Sequence, residues 1–179
     1  MRSLSGASLS HCGRYRYELW RHWDPVNRSF AGFIMLNPST ANAHEDDATI
    51  RQCRALAEHW GFGGIHVVNL YAFRATDPDD LVATFRNGTD VVGQFNDESI
   101  ETMLRDDDLG VLVCAWGANV DKVADIRERV VCSMINNMSR IGATVLGLTK
   151  RGHPRHPLRL SQQTQPTAWA NMEEYRTRA

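Results

Sequence analysis

Alternation dominates the start of the chain. Residues 15–23, YRYELWRHW, set large side chains between polar ones with a period of two, the pattern of a half-exposed strand. Asp24-Pro25 and Asn27 supply turn chemistry, and the pattern returns to a strand over residues 30–36, so a β-hairpin is predicted. This second segment, FAGFIML, is apolar on both faces, which places it inside a sheet covered on both sides. From Asp47 the apolar positions become Ile50, Cys53, Leu56, Ala57 and Trp60, a helical spacing closed by Gly61, Gly63 and Gly64. Residues 65–73 form another strand with an apolar centre. Strand, helix, strand in this order predicts a right-handed parallel crossover.

The same reading predicts helices over 79–85 and 96–104 and a buried strand over 109–116, stopped by Gly117-Ala118. A long amphipathic helix follows over 121–141, with Val123, Ile126, Val130, Val131, Met134, Ile135 and Met138 near one face, then a short strand over 143–148. Residues 1–13 are rich in Ser and Gly and read as a loose N-terminus, whereas no repeat or low-complexity linker divides 14–179, which reads as a single domain. The expected architecture is a three-layer α/β/α domain. Its central sheet is mostly parallel, of about four strands, with an N-terminal β-hairpin strand at the edge.

Composition narrows the function classes. With 179 residues, 42% of them hydrophobic, the chain is long enough for one well-buried domain and short for two. A formal charge of -1 gives no overall field that draws in nucleic acid, but the charges are unevenly placed. Ten acids fall within 77–108 against Arg86 and Arg105, while 149–172 has no acid and carries Lys150, Arg151, Arg155 and Arg159 with His153 and His156. That second segment reads as an anion-facing edge. Cys12, Cys53, Cys114 and Cys132 form no Cys-x-x-Cys pair, so they read as reduced thiols and not as zinc ligands or a disulfide framework. No apolar run approaches the roughly 18 residues of a membrane span, and the first residues lack a signal-peptide core, so a cytoplasmic protein is expected.

The chemistry-bearing residues gather at expected strand ends: Asn37-Pro38-Ser39-Thr40, the segment from Asn69 to Arg74, Trp116-Gly117-Ala118-Asn119, and residues 149–157. In open parallel sheets ligands bind beyond the carboxyl ends of the strands, where loops and helix N-termini converge. Pro38 fixes its turn and biases Asn37 to extended geometry, which aims the Asn37 amide at such a crevice. Ser39 or Thr40 suits a turn cap or an anion contact, and Asp46 and Asp47 suit the cap of the helix that starts near Ala48. His44, Asp46, Asp47, His153 and His156 have no spacing that imposes metal geometry, so no metal and no cofactor are expected.

The order MLNPS, VVNLY, AWGAN and HPRHPL resembles the uracil-DNA glycosylase superfamily, over Phe33 to about Leu160. Across nearly the entire chain, FIMLNPSTA, VVNLYAFRATDP and GLTKRGHPRHPL are similar to a bacterial and phage domain-of-unknown-function family. The glycosylase resemblance implies a uracil-DNA-glycosylase-like fold and a hydrolase that cleaves the N-glycosidic bond of a base, modified or not, in DNA or in a nucleotide. It implies that Asn37 holds the attacking water, that Asn69 reads the base edge, and that His153 donates a hydrogen bond to the departing base. Pro38 with Tyr71 or Phe73 would border or stack on the base. Ser39, Thr40, Lys150, Arg151, Arg155 and His156 would meet phosphates, and Leu158 stands where a DNA wedge is sought. Met35 replaces the superfamily's usual Gly, and the last loop has one extra residue, so His153 and His156 compete for one role. Asn in place of an acidic water activator leaves a second reading, a non-catalytic module that binds a nucleotide or modified base in the same crevice. A third is a small interaction protein whose polar strand ends only cap turns.

Overall fold

A computed structural model describes residues 4–123 and 126–177. The first three residues of the expected loose N-terminus and residues 124–125 of the expected long helix lie outside the described residues. In chain order the elements are β1 (Ser5–Leu9), β2 (Arg16–His22), β3 (Phe30–Met35), α1 (Ala48–His59), β4 (Gly64–Asn69), α2 (Pro78–Arg86), α3 (Asn96–Leu104) and β5 (Leu109–Cys114). A short 3₁₀ turn (Ala118–Lys122) precedes α4 (Ile126–Met138), and β6 (Ala143–Val145), β7 (Thr167–Ala168) and α5 (Met172–Thr177) complete the described chain.

All strands join one sheet in the order β1-β2-β4-β3-β5-β6-β7. The central four, β4, β3, β5 and β6, run parallel, while β1 with β2 at one edge and β7 at the other are antiparallel. β3 is central because it is apolar on both faces. Its residues are all buried, and each edge is paired to a parallel neighbour, Phe33 opposite Val67 of β4 and Val113 of β5.

Alternation along β3 divides the core in two. Ile34 and Leu36 face α3 and α4, packing with Ile100, Met103, Val131 and Ile135. Phe33 and Met35 face the other way, onto Ile50, Cys53, Leu56 and Ala57 of α1. The helices therefore cover both faces of the sheet, as a buried parallel sheet requires. At the end of α1 the chain turns through Gly61 (φ 85°) and Gly63, where a Cβ would stand 1.8 Å from the Asn27 carbonyl oxygen. Only glycine lets the two connections cross so closely.

The structure departs from the sequence reading in places. The segment over 30–36 does not form a hairpin with the segment over 15–23, because β4 lies between them; the N-terminal hairpin is β1 with β2, and β1 comes from the residues expected to be loose. Ser5–Leu9 carries too few large apolar residues to signal a strand alone. It is held by the open edge of β2, where Ala7 faces Leu19. The helix expected over 121–141 is a 3₁₀ turn and then α4, and the strand expected over 65–73 leaves the ladder after Asn69.

Phe33 is fully buried and stacks against Trp60 with ring centroids 6.0 Å apart. Phe33→Ala is expected to cost about 3–5 kcal/mol of stability, read in urea denaturation as a lower midpoint at an unchanged m-value.

Candidate functional site

Parallel strands that end side by side leave carbonyl groups without ladder partners. Here the chain itself meets part of that need: Leu70 N–H donates to Met35 O, Tyr71 N–H to Leu36 O and Ala115 N–H to Ile34 O, at 2.8 to 3.0 Å. On the α3 and α4 face, Asn96 Nδ2 donates to the carbonyls of Asn69 and Leu70 at 3.0 Å each, and Arg127 Nε donates to Leu70 O at 2.7 Å. That face is closed. Beyond the strand ends, between the end of β3, the starts of α1 and α2 and the loop after β5, the structure opens into a crevice of about 430 Å³, within the range of small-ligand sites.

Asn37 lines this crevice with a fixed amide. Its Nδ2 donates to Ala75 O at 2.7 Å and to Pro38 O at 3.1 Å. Both partners are acceptors, so the nitrogen must face them, and Oδ1 remains as the acceptor the side chain can offer a ligand. Ser39 lines the same wall. Pro38 is buried and does not line the crevice, and Thr40 is exposed beside it, next to Glu45 and Asp46.

Asp46 and Asp47 have different tasks. Asp46 is paired to Arg21, 2.8 Å from Nη2 and 2.9 Å from Nε. Asp47 caps α1, its Oδ1 accepting from Ile50 N–H at 2.9 Å, while the residue also borders the crevice with Ala48 and Thr49. A carboxylate therefore shares the crevice with the Asn37 amide. From the sequence, Asp47 takes the cap first, with a catalytic or metal role as the alternative.

The last loop delivers a histidine, His156. Leu148 and Pro154 form an isolated bridge, Arg155 N–H donates to Gly147 O, and Gly117 N–H donates to Pro154 O at 2.8 Å. Gly117 has φ 77°, and a Cβ there would meet the Cβ of His156 at 3.3 Å, so glycine permits the loop to lie against the end of β5. His156 lines the crevice; His153 does not. His153 is buried with Nε2 2.7 Å from Asp121 and Nδ1 3.5 Å from Glu128, and Asp121 also accepts from Arg151 at 2.8 Å. His153 and Arg151 thus fasten the loop to the turn before α4. His156 Nδ1 accepts from Leu158 N–H at 3.2 Å, so the neutral ring carries its proton on Nε2.

The structure adds one residue that strand alternation concealed. Arg16, only 1% exposed, reaches the crevice from β2. Its Nη1 donates to Ala41 O at 2.8 Å, its Nε has no partner, and it forms no ion pair among the described residues. Burial lowers its pKa to about 10, partly offset by the charge of Asp47, so it remains a cation at neutral pH. An unpaired buried cation is costly, and the cost is relieved when an anion arrives.

The other expected site residues lie apart from the crevice. Asn69 is fully buried at the end of β4, with neither Oδ1 nor Nδ2 partnered, opposite the crevice-lining Met35. Tyr71 is buried in the α3–α4 core, and Phe73 packs edge-on against Tyr15 with Arg14 over its ring. Lys150, Arg151 and Arg155 are exposed on the last loop, and Leu158 lines the crevice mouth beside His156.

Burial lowers the pKa of His156 from its ordinary 6.5, the charge of Asp47 opposing in part. The neutral ring is favoured in the fold. Below 6.5 the unfolded chain takes up the proton first, so this group's contribution to stability is present above that value and is lost as pH falls through the folded one. The His156 Cε1–H resonance is expected to titrate with a midpoint below 6.5, and His156→Gln to flatten the fall of unfolding free energy with acidification. A midpoint at or above that of a free histidine contradicts the burial.

No curated protein and no solved structure matches the chain. A family model matches residues 16–158, a span that holds β2 through the last loop and every crevice residue named above. The chain belongs to the family described as Protein of unknown function (DUF1643).

Proposed function

We propose that the crevice binds a nucleobase with its sugar and hydrolyses the N-glycosidic bond between them, as the resemblance to uracil-DNA glycosylases implies. The observation that carries this reading is the Asn37 amide, locked by two carbonyls so that its oxygen is left for a ligand, in the same crevice as the Asp47 carboxylate and the His156 imidazole. Asn37 Oδ1 accepts a hydrogen bond from a water and orients it. Asp47 takes that water's proton as its oxygen bonds to C1′. The C1′–N bond breaks towards the base, and His156 Nε2–H, the one donor of the neutral ring, hydrogen-bonds to the charge that develops there. The proton held by Asp47 completes the free base. In this reading His156 takes the role that the resemblance gives to His153.

Two further observations support a base as the ligand. Asn69 leaves both a donor and an acceptor unpaired in the interior, the pair of atoms that reads a base edge by two hydrogen bonds. Trp116 and Leu36 give the crevice apolar wall. Asn69 is sealed in this form, so base contact at that residue requires Met35, a flexible side chain on the neighbouring strand, to move aside. Binding without cleavage is the second reading, favoured by the commitment of Asp47 Oδ1 to its helix cap.

The test is mass-spectrometric detection of free bases after incubation with single-stranded DNA, duplex DNA and nucleotides carrying normal, deaminated and modified bases. Release of one base is expected, reduced about 10²-fold or more by Asn37→Ala and by Asp47→Asn. His156→Ala should reduce release, whereas His153→Ala should lower thermal stability more than turnover at permissive temperature. No release from any substrate, with ligand still bound, selects the binding reading.

A further inference from the structure

We propose that Arg16 and the N-terminus of α1 form an anion subsite in the floor of the crevice, and that this subsite takes the terminal phosphate of a free nucleotide. The inference rests on the reading of the crevice as a nucleotide site and specifies which nucleotide form it accepts.

Two independent features meet there. The first is α1, a helix of 12 residues whose Ala48 and Thr49 line the crevice. Asp47 caps Ile50 N–H, while the preceding first-turn N–H groups have no intrahelical acceptor and belong to the helix end whose dipole favours negative charge. The second is Arg16, 1% exposed, with Nε unpartnered and Nη1 held by Ala41 O. The Ala41 contact fixes the plane of the guanidinium, and a fixed fork matches two oxygens of a phosphate.

The surrounding charges favour an anion as the occupant. Arg21 is neutralised by Asp46, but Arg74, on the segment after β4, has its Nε buried without a partner and donates only to the Gly13 carbonyl. Asp47 is the opposing charge in the same crevice; its field is felt at Arg16, but the two are not joined in a salt bridge. Arg16 is the cation that lines the crevice, and Arg74 adds positive charge behind it.

Depth decides between a free nucleotide and a strand. A phosphate within a strand carries a sugar on both sides, and both must leave the crevice. Arg16 is almost wholly enclosed by protein, so it suits a terminal phosphate with one ester substituent. The basic residues suited to a strand, Lys150, Arg151 and Arg155, are on the exposed face of the last loop.

The test uses the full chain and probes that do not depend on knowing the base. Two-dimensional NMR of arginine Nε–H groups, with Arg16 assigned by loss of its peak in Arg16→Lys, is recorded against inorganic phosphate, deoxyribose 5-phosphate and deoxyribose. The Arg16 peak is expected to move saturably with both phosphates and to stay in place with deoxyribose. By calorimetry deoxyribose 5-phosphate should bind roughly ten- to a hundredfold more tightly than deoxyribose, the fold-change of one hydrogen bond to a charged group. Arg16→Gln, if folded by circular dichroism, should abolish that difference; the peak shift in the native chain carries the test if it is not. An unmoved Arg16 peak, or equal binding of sugar and sugar phosphate, overturns the subsite. Tighter binding of a single-stranded oligonucleotide than of its mononucleotides overturns the assignment to a terminal phosphate. Phosphate binding without any base release keeps the subsite and removes the hydrolase reading; base release with no effect of phosphate does the reverse.

Discussion

The constraint on which this structure depends is the need to satisfy carbonyl groups where four parallel strands stop together. A sheet of this kind cannot leave those groups buried and unpaired. One face is closed by two long polar side chains: Asn96 donates twice to the end of β4, and Arg127, itself buried and 2.6 Å from Asp97, donates to Leu70 O. These bonds hold α3 and α4 against the sheet end and direct the chain after β4 away from that side. Beyond the ends of β3 and β5 there is no such closure. There the β3 turn, the α1 N-terminus and the last loop meet around open space, and the crevice is the region that the closure leaves unfilled.

Charge placement within the crevice follows from which acid pairs with which base. Asp46 and Arg21 neutralise one another, and Arg21 also donates to the carbonyls of Gly6 and Asn42, so this pair fastens the loop before α1 to β2. Asp47 and Arg16 are neighbours of that pair but are not joined to each other. A carboxylate and a guanidinium held in one crevice without contact keep their separate charges available. Such an arrangement lowers stability relative to a closed pair and is the kind found where groups must act on a ligand.

The fold was legible where periodicity is strong. The two-faced apolar run of β3, the change to helical spacing in α1 and the buried β5 all lie where the hydrophobic pattern places them. Pairing was less so. Alternation marks residues 15–23 as a strand and says nothing of its neighbour, so β2 was matched with the next strand in sequence and not with β1 and β4. The site shows the same division. Asn37 could be placed from its Pro-fixed turn, whereas Arg16 looked like the outward member of an alternating strand and its burial depends on Ala41 and α1, distant in sequence. His153 and His156 are equivalent as letters. What separates them is a tertiary fact, the pair of carboxylates from Asp121 and Glu128 that engages one ring and leaves the other beside the crevice. A signal was present in Gly117, whose positive φ makes room for that loop, but its meaning required the loop to be in view.

The acidic stretch over 77–108 shows how a strong compositional feature dissolves into local tasks. Asp77 caps α2, Asp90 accepts from the N–H groups of Val92 and Gly93, and Asp106 accepts from Asp108 N–H. Asp79 pairs with Lys122, Asp97 with Arg127, Glu101 with Arg105, Asp107 with Arg140 and Asp108 with Arg28. Apart from the pair made by the buried Arg127, these exposed pairs add little stability each, while the Asp77 cap fixes where α2 begins. The acids of this segment are thus largely answered nearby, and Arg151 on the basic loop is answered by Asp121. Charge that attracts attention in the sequence is mostly neutralised in the fold. Arg16, inconspicuous in the sequence, is a buried cation that forms no salt bridge among the described residues, so the charge left unanswered lies in the interior of the crevice more than on the charged surface.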